Sequence, residues 1–304
     1  MSKQSFYSHG KLLLTSEYLV LDGVKALALP TKKGQWLSLQ ENNTNTIIWK
    51  SFDIHGDCWF EAKIYLPLSE VDTVSDDKIT KTLLGILKTA NTLNPNFLSS
   101  SIGYTIETRL EFDRLWGLGS SSTLINNIAQ WADVNAFELL KKSFGGSGYD
   151  IASAQNDTPI YYTKSKKNPI IEKADFNPSF KDQIFFVYLN QKQDSKASIQ
   201  HYQSLSLRDF DKAAADIERI ANQMVDCSSI ETFNTLIDKH EEVISRIIKT
   251  PTVKSRLFSE YIGSIKSLGG WGGDFVLATG TSSDMDYFRN QGYQTILAYS
   301  EMVL

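Results

Sequence analysis

The chain has 304 residues, of which 41% are hydrophobic and 22% charged, and its formal net charge is −4 at pH 7. This composition is typical of a globular protein, and the length allows two domains. The negative net charge and the absence of a basic run in the sequence argue against nucleic acid as a partner. The two cysteines lie far apart without clustered histidines, and no apolar run reaches the ~18 residues of a membrane span, so we expect a cytoplasmic protein without a disulfide framework, zinc site or membrane partner.

The first part of the chain reads as two short strands, at residues 5–14 and 26–30, on either side of a turn at Asp22-Gly23. The apolar run between them is interrupted by Ser16, Glu17 and Asp22 before it is long enough for a signal peptide. Lys11 and Glu17 place charges inside this run, and a buried charge needs a partner or a function. The alternative is that both charges are solvated at a strand end.

The next predicted elements are a β region and a helix. Residues 34–66 place aromatic and aliphatic side chains between turn-forming stretches such as 41–43 and 55–57, which indicates antiparallel strands. Apolar residues then recur at steps of three and four over residues 79–93, the spacing of an amphipathic helix. The helix is expected to end before the Asn-Pro-Asn sequence at 94–96.

A glycine- and serine-rich stretch at 115–123 lies between an alternating run at 104–110 and an apolar-periodic run at 124–131, which predicts a strand, a tight loop and a helix. Gly117 and Gly119 allow positive φ, and the serines bring hydroxyl and N–H groups to the first helical turn. Such a helix start binds anions, so we predict a nucleotide phosphate loop. A serine-capped helix after a glycine turn is the alternative, because the stretch matches neither a Walker A loop nor a dinucleotide fingerprint.

A second glycine cluster precedes a single carboxylate. Residues 137–142 read as a helix that runs into Gly145, Gly146 and Gly148, and Asp150 follows. The glycines turn the backbone tightly and hold Asp150 at a helix start, where an ordinary helix cap is one explanation. An aspartate beside bound phosphate can also accept the proton of an attacking alcohol, as in kinases.

A polar connection at 163–182 marks the expected boundary between two domains, at 1–170 and 183–304. The second half reads as strand 183–190, two helices with apolar stripes, strand 274–279, a helix and strand 295–299, an α/β sandwich of the ferredoxin-like kind. A third glycine cluster at 269–273, between Lys266 and Asp274, suits a loop that lies against a ligand or another loop. A wide turn closed by Trp271 is the alternative.

Together the three clusters resemble, in order and spacing, the motifs of the GHMP kinases, which include galactokinase, homoserine kinase, mevalonate kinase and phosphomevalonate kinase. Residues 10–18 (Gly-Lys-Leu-Leu-Leu-Thr-Ser-Glu-Tyr) resemble the phosphomevalonate-type N-terminal motif, residues 117–121 match the Gly-Leu-Gly-Ser-Ser phosphate loop, and residues 266–274 align without a gap with the third motif. The Gly-Tyr-Asp-Ile-Ala string at 148–152 resembles a bacterial subgroup of the family. The resemblance implies an α+β fold, with a ribosomal protein S5 domain 2-like N-terminal domain that binds ATP and a ferredoxin-like C-terminal domain.

The resemblance also implies roles for the matched residues. Asp150 would orient or deprotonate the acceptor and pair with Lys11, and serine hydroxyls of the phosphate loop would face Mg²⁺. The family's magnesium glutamate falls at Leu139, so the neighbouring Glu138 is a further candidate ligand. The predicted residues are Asp150 and Lys11 for catalysis; Gly117, Leu118, Gly119, Ser120, Ser121 and Ser122 for ATP; Ser120, Ser121 and Glu138 for magnesium; and Glu17, Tyr18, Gly270, Trp271, Gly272, Gly273 and Asp274 for the acceptor.

The expected reaction is phosphoryl transfer from ATP to a small anionic acceptor. Phosphomevalonate or mevalonate, in isoprenoid precursor synthesis, is the first expectation, with sugars or homoserine as alternatives. The same fold also includes a decarboxylase, and a nucleotide-binding protein without catalysis is the alternative of another class. The sequence departs from the family pattern in having Asp113 for a proline, Ser122 and Thr123 for two alanines, Ser16 for a glycine and Trp271 for a glycine. We expect a monomer or a homodimer.

Overall fold

The computed structural model describes residues 3–68, 71–73, 77–100, 102–193, 195–205, 210–271 and 273–304. The strands are β1 (Gln4–Leu13), β2 (Ala26–Asn42), β3 (Thr46–Phe52), β4 (Cys58–Tyr65), β5 (Val71–Thr73), β6 (Gly103–Leu110), β7 (Ile160–Thr163), β8 (Ile170–Lys173), β9 (Ile184–Tyr188), β10 (Ile265–Ser267), β11 (Phe275–Thr279) and β12 (Ile296–Ala298). The α-helices are α1 (Asp77–Leu93), α2 (Ser120–Ala132), α3 (Ala136–Ser143), α4 (Tyr149–Ala154), α5 (Ser195–Ser204), α6 (Phe210–Asp226), α7 (Ile230–Ile248), α8 (Val253–Leu257), α9 (Asp286–Asn290) and α10 (Tyr299–Met302).

The chain forms two compact units that draw on alternating segments of the sequence. Unit 1 contains residues 1–10, 33–114 and 118–155, and unit 2 contains residues 11–32, 115–117 and 156–304. Because β1 and β2 each supply residues to both units, the units are not consecutive stretches of chain. The domain division at the 163–182 connection stays a prediction.

Unit 1 is built on a mixed sheet covered by helices. Strands β5, β4, β3, β6 and β2 are neighbours in that order; β3 is antiparallel to β4 and parallel to β6, and β6 is antiparallel to β2. A parallel pair needs a long crossover, and here it runs through β4, β5 and α1. Apolar side chains of the sheet and of α1 to α3 form one core, which includes Trp49, Phe60, Leu87, Ile106 and Ile128.

The predicted strand, loop and helix around the serine-rich stretch are present as β6 and α2. The helix begins at Ser120, four residues before the apolar-periodic run, because the preceding Gly119 turns the backbone in the left-handed conformation. The face of α2 that contains Ile125, Ile128 and Ala132 is buried against the sheet. The serines therefore form the first turn of a helix whose position is set by the core.

Unit 2 contains a sheet of four short strands in the order β10-β11-β9-β12, and every pair in it is antiparallel. With helices between β9 and β10 and between β11 and β12, this is the β-α-β-β-α-β arrangement of a ferredoxin-like sandwich. Its core includes Phe185, Val187, Phe258, Val276 and Phe288. Strand β10 was not predicted, because three residues with a lysine in the middle show no strand periodicity.

Two further elements differ from expectation. The polar connection at 163–182 contains β8, which pairs with β7 from Ile160↔Lys173 to Thr163↔Ile170, so backbone pairing rather than apolar content makes it a strand. Strand β2 continues to Asn42 instead of ending at residue 30, because its second half pairs with β6. None of the helices in the described part of the chain has the length and apolar character of a bilayer span.

Candidate active site

The first turn of α2 has the features of an anion site. Gly119 is the N-cap residue, with φ +89°, and no side chain caps the helix. Ser121 is exposed, and Ser120 and Ser122 are half-buried. A helix start of this kind offers backbone N–H groups and the positive end of the helix dipole to a ligand. The serine hydroxyls add polar groups at the same turn.

A buried polar network fixes the position of α2 on the sheet. Thr123 donates from Oγ1 to Oε1 of Gln35 (2.6 Å), and the Asn127 side-chain amide donates to the backbone carbonyl of Gln35 (2.9 Å). Ser8 donates to Oδ1 of Asn127 (2.7 Å) and accepts from Nδ2 of Asn126 (2.9 Å). Buried polar groups that satisfy one another specify a single arrangement. This network was not predicted, although two adjacent asparagines in an apolar-periodic helix are a signal for it.

Asp150 lies in the first turn of α4, as predicted from the glycine cluster. The N-cap residue of this helix is Gly148, with φ +94°, and Asp150 is half-buried. Helix α4 packs against α2, and Gln155 at its end donates to Oδ1 of Asn126 (2.9 Å). The carboxylate therefore belongs to an element that contacts the serine-rich helix. Its catalytic role stays a prediction.

In unit 2, Lys11, Gly117 and Asp274 come together, one from each of three predicted motifs. Lys11 donates from Nζ to the carbonyl oxygen of Gly117 (2.9 Å). Gly117 has φ +67°, and a Cβ at this position would lie 2.3 Å from Cγ of Asp274. Trp116 contacts Phe275 edge-on, with ring centroids 5.4 Å apart. The start of the glycine-serine loop is thus held against the end of the third glycine cluster.

Asp274 is a buried carboxylate in a left-handed backbone conformation, with φ +56°. Burial raises the pKa of Asp274, whereas the charge of Lys11, a hydrogen bond from the Gln193 N–H (3.2 Å) and the charge of Lys192 oppose the rise. Two lysines therefore act on this carboxylate. Their charges offset part of the effect of burial on the pKa of Asp274.

The third glycine cluster lies against the segment that leads into α5. A Cβ on Gly270 would lie 2.7 Å from Cγ of Gln193, and one on Gly273 would lie 2.9 Å from the carbonyl oxygen of Gln191. Side chains at these positions would collide with that segment, so the loop packs against another loop. The acceptor-binding roles of Gly270 and Gly273 stay predictions. Gly272, also predicted to bind the acceptor, lies outside the described residues.

Trp271, which stands where the resembled family has a glycine, has φ +42°, and its side chain is only 5% exposed. Its indole Nε1 is buried and has no hydrogen-bond partner in the described part of the chain. A buried donor without a partner is costly, and such groups in native proteins call for an explanation. The predicted acceptor-binding role would explain this indole N–H, because a bound acceptor could accept its hydrogen bond.

Glu17 and Tyr18, also predicted to bind the acceptor, have different surroundings. The carboxylate of Glu17 is fully buried in an ion pair with Lys266. Tyr18 has φ +65°, stacks on Tyr202 with ring centroids 5.5 Å apart, and shares a hydrogen bond with Ser198. Burial raises the pKa of Tyr18 to about 12, so the phenol stays neutral at physiological pH. The acceptor-binding roles of Glu17 and Tyr18 stay predictions.

No carboxylate cage for a metal is present in the described residues. No group of three or more histidine, cysteine, aspartate or glutamate side chains suited to a metal ion occurs among them. Glu138 is exposed in the first turn of α3, a helix capped by the side chain of Asn135. Magnesium usually keeps several waters and uses few protein ligands, so serine hydroxyls and phosphate oxygens remain a suitable ligand set.

The strand orders and helices of the two units define an α+β fold shared with kinases of small molecules. It is the fold of the GHMP kinases. Mevalonate kinase from Methanococcus jannaschii superposes with a TM-score of 0.69 and 14% identity, covering 97% of this chain and 96% of that one. Phosphomevalonate kinase from Streptococcus pneumoniae, in complex with phosphomevalonate and AMPPNP, superposes with a TM-score of 0.69 and 12% identity, covering 97% of this chain and 99% of that one.

Galactokinase from Lactococcus lactis, complexed with galactose, superposes with a TM-score of 0.64 and 11% identity, covering 98% of this chain and 93% of that one. No protein-family model and no curated protein matches the sequence. At these identities the similarity establishes the fold. The bacterial Gly-Tyr-Asp-Ile-Ala subgroup stays a prediction.

Proposed function

We propose that this protein is an ATP-dependent kinase that transfers the γ-phosphoryl group to a small anionic acceptor. The observation that supports it most directly is the start of α2, where three serines follow a left-handed glycine and no side chain caps the helix. Structures with the same fold include a kinase in complex with AMPPNP. The backbone N–H groups of residues 120–122 would bind the ATP phosphates.

The proposed reaction is a direct phosphoryl transfer. The acceptor hydroxyl oxygen forms a bond to the γ-phosphorus, the bond from that phosphorus to the β–γ bridging oxygen breaks, and ADP leaves. The hydroxyl proton passes to the Asp150 carboxylate, which also orients the acceptor. The predicted pairing of Lys11 with Asp150 is part of the proposal.

The residues present fit a nucleotide and its metal. Gly119 places no side chain at the N-cap position, and the hydroxyls of Ser120 and Ser121 lie in the first turn of α2. These hydroxyls would hold magnesium together with the phosphates, and Glu138 is a weaker candidate. When bound, the metal would neutralise phosphate charge.

The proposed acceptor is mevalonate or phosphomevalonate, which would place the protein in isoprenoid precursor synthesis. The support is the likeness of residues 10–18 and 266–274 to phosphomevalonate-type motifs, together with neighbours of the same fold that are mevalonate and phosphomevalonate kinases. The charges of Lys11 and Lys192 beside Asp274 suit an anionic acceptor. A cytoplasmic location and a monomeric or homodimeric state remain predictions.

The test is an ATP-turnover screen of the purified protein against mevalonate, phosphomevalonate, homoserine and galactose. ADP release is followed with a coupled assay, and the phosphorylated product is identified by mass spectrometry. We expect turnover with one of the two mevalonate compounds. Binding of AMPPNP without turnover of any acceptor would instead support a nucleotide-binding protein that is not a kinase.

Asp150→Asn is the catalytic control, because it keeps the size of the side chain and removes its basicity. We expect a loss of about 10²- to 10⁴-fold in kcat with unchanged affinity for AMPPNP. Asp133→Asn makes the same chemical change at an exposed position outside the predicted site and should cost far less. Unchanged turnover in Asp150→Asn would remove Asp150 from the mechanism.

A further inference from the structure

Unit 2 contains a buried ionic cluster that lies behind two of the predicted motifs. Lys266 is 0% exposed, and its Nζ donates to Glu17, to Oε1 of Glu241 (3.2 Å) and to the backbone carbonyl of Ser267 (2.7 Å). The Ser267 hydroxyl donates to Oε2 of Glu241 (2.8 Å). One ammonium group therefore joins two carboxylates from different parts of the chain. None of the proposed reaction steps uses this cluster.

His240 completes the cluster as a neutral ring. Its Nε2 accepts a hydrogen bond from the backbone N–H of Ser16 (3.1 Å), which requires a lone pair on that nitrogen. Burial, and then the charge of Lys266, lowers the pKa of His240 well below its ordinary value. The other carboxylate oxygen of Glu17 lies 3.3 Å from Nε2. The side chain of Glu17 is therefore enclosed between Lys266 and His240.

The cluster joins the segment at residues 16–18 to the start of the third glycine cluster. Ser16 and Tyr18 have φ +67° and +65°, a backbone conformation that residues other than glycine rarely adopt unless the surrounding structure holds them in it. On the other side, Lys266 lies in β10, directly before the loop that contains Trp271. Both segments also reach Ser198, which shares a hydrogen bond with Tyr18 and donates to the carbonyl oxygen of Gly270 (3.4 Å).

We propose that Glu17, Lys266 and Glu241 form an ionic clamp that positions Tyr18 and residues 268–271 for binding the acceptor. The inference rests on the proposed function, because the acceptor residues are those of the proposed kinase. It assigns Glu17 a positioning role in place of direct contact with the acceptor. Removing one partner of a buried ion pair leaves an uncompensated buried charge, so the pair opposes separation of the two segments that it joins.

The test compares Lys266→Met, which removes the cation and keeps the length of the side chain, with Lys254→Met. Lys254 belongs to the same unit and donates to the backbone carbonyl of Gly263 (2.7 Å), so it is a matched lysine outside the clamp. Hydrogen–deuterium exchange is followed by mass spectrometry, and kinetic constants are measured for ATP and for the acceptor that the screen identifies. Far-UV circular dichroism reports whether each variant folds.

For Lys266→Met we expect faster exchange confined to residues 16–22 and 268–275, a KM for the acceptor raised by about 10-fold or more, and an unchanged KM for ATP. Lys254→Met should change neither segment. If Lys266→Met does not fold, the double variant Glu17→Gln/Lys266→Met, which buries one ionisable carboxyl fewer, takes its place. Glu17→Gln alone removes one charge of the clamp and keeps an oxygen acceptor for Lys266, so it should show faster exchange in the same two segments and a smaller rise in the acceptor KM.

Exchange and acceptor KM equal to those of the wild type in a folded Lys266→Met would overturn the clamp. Faster exchange spread evenly over unit 2 would also overturn it, because that would show a general stabilising role. If the wild type turns over no acceptor, the proposed function fails, and the segment-specific exchange then decides the clamp by itself.

Discussion

Gly117 faces the carboxyl group of Asp274 so closely that a Cβ at residue 117 would lie 2.3 Å from the carboxyl carbon and 2.4 Å from one of its oxygens. Real side chains do not approach so closely. Residue 117 must therefore be glycine for two reasons: there is no space for a Cβ, and its φ of +67° disfavours other residues. The glycine predicted to approach a phosphate thus also approaches a buried carboxylate of the same chain.

Gly117→Ala should displace the loop that precedes α2, because the methyl group collides with Asp274 and the backbone at φ +67° disfavours alanine. We expect the KM for ATP to rise by about 10²-fold, as for an ångström-scale misplacement of a binding group. Steady-state kinetics and calorimetric titration with AMPPNP measure the effect. Gly85→Ala is the matched control, since a Cβ there has open space within α1 and should raise stability by about 0.5–1 kcal/mol. A nearly unchanged ATP affinity in Gly117→Ala would show that the loop does not bind nucleotide.

Lys11→Met should reduce turnover, because it removes both a cation beside Asp274 and the donor to the Gly117 carbonyl. We expect kcat/KM to fall by about 10²- to 10³-fold, as when one charge-stabilising donor is lost. Lys32→Met is the control, because Lys32 also donates to a backbone carbonyl, that of Ser300 (2.6 Å), and should leave the kinetics unchanged. Equal kinetic constants for the two variants would contradict the assigned role of Lys11.

Glu17→Gln should change how stability depends on pH. Burial raises the pKa of Glu17 from 4.5 to about 7; the charge of Lys266 opposes this rise and that of Glu241 adds to it. Between these two pH values the folded protein holds a proton that the unfolded chain has released. The contribution of Glu17 to the free energy of unfolding is therefore fully present below pH 4.5 and is lost as the pH rises to about 7. Glutamine does not titrate, so the Glu17→Gln variant does not lose this part of its stability as the pH rises.

Urea denaturation of both proteins between pH 4.5 and 7.5 measures the effect. The free energy of unfolding of the wild type, relative to that of Glu17→Gln, should fall by about 2–3 kcal/mol across the window. Glu241, whose pKa is raised by burial, and His240, whose pKa is lowered by burial, are present in both proteins. The difference therefore reports Glu17 together with its coupling to Glu241. A difference that stays constant with pH would mean that Glu17 is ionised throughout.

Trp271→Phe should separate packing from ligand binding, because it keeps an aromatic ring and removes the buried N–H that lacks a partner among the described residues. We expect the stability of the protein without ligand to change by less than about 1 kcal/mol and the KM of the acceptor to rise by about 10-fold. Trp49→Phe is the control: its indole already donates to Ser51 (3.1 Å), so that variant should lose stability without a change in KM. An unchanged acceptor KM in Trp271→Phe would show that the indole only packs.

The sequence by itself determined the local elements that matter most for the proposed function. Glycine before a serine run predicted the left-handed turn and the helix start at Gly119 and Ser120, because backbone freedom and helix-start chemistry depend on neighbouring residues. The glycine cluster likewise predicted that Asp150 lies in the first turn of a helix. Periodicity predicted α1 within two residues of its bounds, because a long amphipathic stripe needs no information about its partner.

Only the tertiary structure decided which charges pair and which short segments become strands. Lys266 and Glu17 are 249 positions apart, and no local pattern indicates that Glu17 is buried against a lysine and a neutral histidine. β8 and β10 exist because neighbouring strands supply backbone partners, which their own composition does not reveal. Pairing and burial depend on which residues meet after the chain has folded, and that is a property of long-range contacts rather than of sequence neighbours.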